Sequence, residues 1–218
     1  MKVAVLAAMP TEMDIIIQTG LERAGLDLLY VRTGIGKANA ARSATELILS
    51  EKPDCIIGSG CAGSLGHGIN FMDTAVSERT AYHDVWCGEP NLPGQVQESP
   101  MYFESDASLL AVAHAAASKS GLPVHFGLAA CGDQFYISPD EDARILKVLP
   151  GAISADMESG AIAQTCHHYG VPFIGIRAIS DTHGSPEEQS STYANFWTEV
   201  RLRGFAFLKA FFDELSKT

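Results

Sequence analysis

The stretch LDLLYVRTGIGKANAARSATELILSEKPDCIIGS, residues 26–59, carries the pattern that decides the fold. It opens on a short β-rich apolar run at 26–32 and turns through the glycines of TGIGK. Apolar residues at helical spacing follow over 37–50, and a second apolar run closes the stretch at 54–59. A strand, a helix and a strand in that order form the crossover unit that parallel neighbours in a sheet require. Working outward, residues 2–8 (KVAVLAA) read as another buried strand, and further strands are expected near 72–80, 124–131 and 173–180. Helical spacing predicts helices near 107–120, 140–148, 158–169 and 192–215. Strands alternating with helices predict an α/β fold around a mostly parallel sheet.

With 218 residues, the chain is expected to build one core and one domain, 1–218. Its formal net charge of −11 argues against a phosphate-backbone partner, which needs a basic face, so neither nucleic acid nor an anionic membrane is an expected partner. No apolar run reaches the ~18 residues of a spanning helix, and MKVAVLAAMPTEM lacks the basic start and long apolar core of a signal peptide, so a cytoplasmic location is expected. The five cysteines are odd in number and scattered, and read as reduced thiols. His167 and His168 are adjacent on an expected helix, where their side chains diverge, so no metal site is expected there. The irregular stretch 82–103 is long enough to be functional or interfacial.

Ligands of an open α/β sheet sit beyond the carboxyl ends of its strands, so the polar residues at those ends are the candidates. Four segments qualify: AMPTEM (8–13), GSGCAGS (58–64), CGDQFY (131–136) and AISDTHG (178–184). SADMES (154–159) joins them if residues 152–156 form a short strand. The acids there are Glu12, Asp133, Glu158 and Asp181, each with a plain alternative. Glu12 and Glu158 suit a first helical turn, which favours acids; Asp156 suits a cap; Asp133 and Asp181 suit turns.

Taken together, the motifs say more. AMPTEM, TGIGKANAA, GSGCAGSL, YHDVWCG, GDQF, ADMESGAIAQTC and RAISDT occur in an order and spacing that resembles the 5'-methylthioadenosine/S-adenosylhomocysteine nucleosidases of the nucleoside phosphorylase superfamily. The resemblance implies a three-layer α/β/α sandwich with a twisted central sheet, and hydrolysis of the bond between ribose and adenine. It implies Glu12 as general base for water and Asp181 as the acid that protonates adenine N7. It further implies Glu158 as the carboxylate on the ribose hydroxyls, Met157 under the sugar, Phe135 stacked on the base, the backbone near Tyr136 reading the purine edge, and Ser180 positioning Asp181. The resemblance implies no cofactor or metal and a homodimer, in which the loop YHDVWCGEPNLPGQVQ, 82–97, reaches the neighbouring site. Between Glu12 and TGIGK this chain has about twenty residues, a strand pair fewer than better-known members. Futalosine hydrolases resemble such a shortened version. Cys61 stands where many members have serine, and is expected to pack rather than attack, since no step needs a thiolate.

The chemistry fits the residues. An N-glycosidic bond breaks through an oxocarbenium-like state, which calls for a protonated leaving group, a held water and an anchored sugar, and three separate acids suit the three tasks. A phosphorylase would need cations for its phosphate. The candidates, Arg32 and Arg177, read as strand-end residues. A dinucleotide site carries little weight, since TGIGK does not match GxGxxG and the glycine spacing in GSGCAG, 58–63, is a weak signal on its own. A non-catalytic nucleoside binder would have no use for Glu12.

Overall fold

The computed structural model describes residues 1–66, 68–135, 139–182, 186–203 and 205–218, with side chains omitted at 139, 186–190 and 201–203. The opening stretch forms the expected unit, as β2 (Asp27–Arg32), α2 (Lys37–Glu51) and β3 (Cys55–Ser64). Before it come β1 (Lys2–Ala7) and α1 (Pro10–Gln18). Beyond it lie β4 (Thr74–Tyr82), β5 (Phe103–Glu104), α3 (Ala107–Ser120), β6 (Val124–Cys131), α4 (Pro139–Val148) and β7 (Ala152–Asp156). The chain ends with α5 (Ser159–Tyr169), β8 (Phe173–Asp181), α6 (Pro186–Arg203) and α7 (Ala206–Leu215).

The run in β1 is apolar throughout because both faces are covered. Val3, Val5 and Ala7 join one apolar cluster with α1, α3, α6 and α7, while Ala4 and Leu6 join a second with α2 and α5. Residues 19–26 connect α1 to β2 without a strand, so no hairpin intervenes.

Three sequence expectations change. The sheet is mixed: β1 runs parallel to β2 and β3, β3 to β8, and β6 to β4 and β7, but β3–β7, β4–β5 and β4–β8 are antiparallel. Five strands, β3, β8, β4, β6 and β7, pair in a closed ring, with β1 and β2 continuing outward from β3. The expected helix over 192–215 is two helices, and Phe205 sits between them. Finally, GSGCAGS is strand and not a loop. Its tail follows β8 up to Asp181, with a register shift at Ala62/Gly63, and meets β7 antiparallel at Gly63 and Ser64. Glycine and small residues have low strand preference, so only pairing on both sides makes them extended here.

Candidate active site

The carboxyl ends of β1, β2, β3, β6, β7 and β8 converge on one cavity of about 120 Å³. Glu12, Phe135, Met157, Glu158, Ser180 and Asp181 all line it. Tyr136 lies outside the described residues.

Glu12 enters from the first turn of α1. Its Oε2 accepts the Met9 N–H at 2.8 Å, the return half of a capping box, and its Oε1 accepts the Cys61 N–H at 2.8 Å. The plain reading of a first-turn acid is therefore correct, and the same carboxylate also reaches the cavity wall. Two glycines of β3 make room for the acids. A Cβ on Gly60 would lie 2.5 Å from Glu12 Oε1, and a Cβ on Gly63 would lie 2.9 Å from Asp181 Oδ2. Asp181 closes β8 and is buried, with Ser180 Oγ 2.6 Å from its Oδ1. The strand β3 beneath the cavity is thus gapped at two glycines, with one carboxylate against each gap.

Glu158 sits at the start of α5, where its Oε1 accepts the Gly36 N–H of α2 at 2.9 Å. Burial is the main cause that pushes its carboxyl up to about 7, while Arg177 pulls it down and Asp156 adds to the rise. Asp156 proves to be the cap: its Oδ1 accepts the N–H of Glu158 at 2.9 Å and of Ser159 at 2.8 Å. Asp133 accepts the Lys37 N–H at 2.7 Å, so the first turn of α2 faces two carboxylates, as its dipole favours. Asp84 joins this corner, 2.7 Å from Lys37 Nζ and 2.9 Å from the Asp133 N–H it accepts.

Sequence reasoning missed several residues that line the cavity or contact its acids. Arg177 is not a strand-end residue. It lies inside β8, buried, with its Nη1 donating to Ser59 O at 2.8 Å and its Nε 3.2 Å from Asp156 Oδ2. An arginine in an otherwise apolar strand was the available signal. Arg32 does end β2 and is exposed. Tyr193, from α6, meets the Phe135 ring edge-on at 5.2 Å, and Ile35 and Asp142 also line the cavity. Nothing local in the sequence ties these residues to the others. The Cys61 thiol is pushed well above its ordinary value by burial and by Glu12, which suits a packing role. Among the described residues, no group of three or more His, Cys, Asp or Glu side chains is arranged to hold a metal ion. No described helix is long and apolar enough to cross a membrane.

A family profile described as Phosphorylase superfamily matches residues 2–213. The chain belongs to that superfamily. Within it, the relatives of this phosphorylase-superfamily chain are specific. The 5'-methylthioadenosine/S-adenosylhomocysteine nucleosidase of Haemophilus influenzae (strain 86-028NP) is 33% identical over 232 residues, covering 99% of this chain and 100% of the relative. The solved nucleosidase of the same name from S. pneumoniae, with a transition-state inhibitor MT-ImmA, superposes with a TM-score of 0.89 at 31% identity, covering 99% and 100% of the two chains. Futalosine hydrolase of Helicobacter pylori strain 26695 superposes with a TM-score of 0.89 at 25% identity, covering 98% and 97%. The chain is therefore a member of the 5'-methylthioadenosine/S-adenosylhomocysteine nucleosidase family of this superfamily.

Proposed function

We propose that the protein hydrolyses the N-glycosidic bond of 5'-substituted adenosines, 5'-methylthioadenosine and S-adenosylhomocysteine, and releases adenine. The observation that carries the reading is the pair of buried carboxylates, Glu12 and Asp181, seated against two glycines three positions apart on one strand. Three strand residues span roughly 10 Å, room for a water at one end and a leaving base at the other. In this mechanism Glu12 takes a proton from water as its oxygen bonds to the sugar C1'. The C1'–N9 bond breaks with its electron pair going to the purine, and Asp181 delivers a proton to N7. Glu158 accepts from the sugar hydroxyls, Met157 packs below the ring, Ser180 orients Asp181, and Phe135 with Tyr193 stacks on the base; the backbone near Tyr136 belongs to the same proposal. General acid and base steps contribute about 10² to 10⁴ each, and fixed positioning supplies much of the remainder.

Arg177 bears on the phosphorylase alternative. It lies among the acids Asp156, Glu158 and Glu12, an environment that repels phosphate. The exposed apolar side chains Trp86, Leu92 and Ile35 support a homodimer as part of the proposal. Helices against both faces of β1 support a three-layer sandwich in a single domain, and a cytoplasmic location completes the reading.

The test is base release from methylthioadenosine, S-adenosylhomocysteine and aminofutalosine, with and without phosphate, identifying the sugar product. Adenine and a free sugar from the first two, independent of phosphate, is the expected result. A sugar 1-phosphate formed only with phosphate would overturn it, and exclusive turnover of aminofutalosine would reassign the substrate.

A further inference from the structure

Asp156 is the carboxylate of SADMES to which the proposed reaction gives no task, yet it is the most fully engaged. Beyond the two N–H groups on Oδ1, its Oδ2 meets Ser159 Oγ and lies 3.2 Å from Arg177 Nε. That Nε makes no hydrogen bond, so its contact with Asp156 is an ion pair, and Arg177 is hydrogen-bonded at two other points, Nη1 to Ser59 O at 2.8 Å and Nη2 to Ser159 Oγ at 3.2 Å. The guanidinium is thereby held with Nη2 3.9 Å from Glu158 Oε2, beyond hydrogen-bond distance. A buried guanidinium beside a carboxylate closes on it as a charge-assisted pair at about 2.8 Å unless other groups engage it. Here the shortfall is only about 1 Å. Glu158 Oε1 is occupied by the Gly36 N–H, whereas Oε2 has no donor within hydrogen-bond distance among the described residues.

We infer that Asp156 is a positioning residue whose task is to hold Arg177 away from Glu158, leaving Glu158 Oε2 open to a sugar hydroxyl. The inference rests on the reading of Glu158 as the sugar ligand. Ser159 is the second tie, since its hydroxyl bridges Asp156 and Arg177. The elevated pKa of Glu158 agrees with a carboxyl whose nearest cation is engaged elsewhere. The cost of keeping this oxygen open is a carboxylate that is buried and only partly compensated, a burden with no structural return unless a ligand completes it.

The experiment compares kcat/KM for methylthioadenosine with its 2'-deoxy and 3'-deoxy analogues in the wild type, Asp156→Asn and Ser159→Ala. A hydroxyl bonded to a charged group predicts a wild-type preference of roughly 10- to 150-fold over the poorer analogue. In Asp156→Asn the preference is expected to collapse to within about 3-fold, through a higher KM for the hydroxylated substrate, while KM for the deoxy analogue barely moves. An equal loss on both substrates with the preference retained would make Asp156 merely structural and overturn the inference. A wild type without preference would instead remove Glu158 from the sugar, and this inference with it. Should Asp156→Asn fail to fold, Ser159→Ala decides. It keeps every charge and loosens one tie, so an intermediate preference supports the inference and an unchanged one overturns it.

Discussion

The two ends of the cavity are built on opposite plans. At the floor, Glu12 and Asp181 are 1% and 8% exposed, pressed against glycines, with Glu12 held by two backbone N–H groups. At the mouth, Phe135 is 55% exposed, on a segment that leaves the sheet altogether. In the proposed mechanism the floor carries the groups that face the reacting centre, and it is assembled from strand backbone, the stiffest material available. The mouth must admit a nucleoside and release a base, so its contacts are aromatic and are completed by whatever binds. Both ends come from the same strand termini; what separates them is how many backbone hydrogen bonds fix each side chain.

Substitutions at the two ends should therefore differ in kind as well as size. The largest effect is expected for Glu12→Gln and Asp181→Asn, each lowering kcat at least ~10²-fold with an unchanged fold by circular dichroism. A kcat near wild type for either variant would take that residue out of the mechanism and erase the contrast. Next comes Gly60→Ala, whose methyl would fall 2.5 Å from Glu12 Oε1 and 2.8 Å from Arg177 Nη1 on a backbone with φ +127°. Displacing both groups is expected to cost about 1–3 kcal/mol of stability, read from the denaturation midpoint, and to lower kcat more than it raises KM.

Glu158 lies between the two ends and sharpens the comparison through pH. Its carboxyl is raised from 4.5 to about 7 in the folded state, which holds the proton more tightly than the unfolded chain does. The corresponding stability is fully present below the unfolded value and is lost as pH rises through about 7. Glu158→Gln removes that loss while keeping an acceptor for Gly36. Its stability should exceed wild type at pH 8 by on the order of 2 kcal/mol, read as a higher thermal midpoint, and match it at pH 4. Equal midpoints at both values would mean the carboxylate is not strained by burial. The smallest effect is expected at the mouth, where Phe135→Ala should raise KM roughly 3- to 10-fold with kcat little changed, the worth of one aromatic stack.

Much of this arrangement was legible in the sequence because of how β1 and β8 are buried. Runs covered on both faces read as uninterrupted apolar segments, and the alternation of such runs with helical spacing gave the α/β class. The acids were legible because five of the strand ends carry polar residues directly after an apolar run. The rest was hidden for physical reasons. Gly60 and Cys61 to Ser64 have no strand preference of their own and are extended by β7 and β8, partners distant in sequence. Arg177 looked like the edge of a strand because its counter-charge, Asp156, belongs to another strand end. Tyr193 reaches Phe135 and the cavity from a helix whose spacing reports only its packing. The mixed sheet direction follows from ring closure, which no local pattern encodes.

That ring has a dynamic consequence. An open sheet can fray from its borders, but β3 and β8 are bonded on both sides within a closed circuit. Their amide protons have no edge from which to escape into solvent, so they should exchange with deuterium only when the whole circuit opens. The strands that seat Glu12 and Asp181 would then be the slowest-exchanging part of the molecule, and the two acids would keep their places for as long as the protein remains folded.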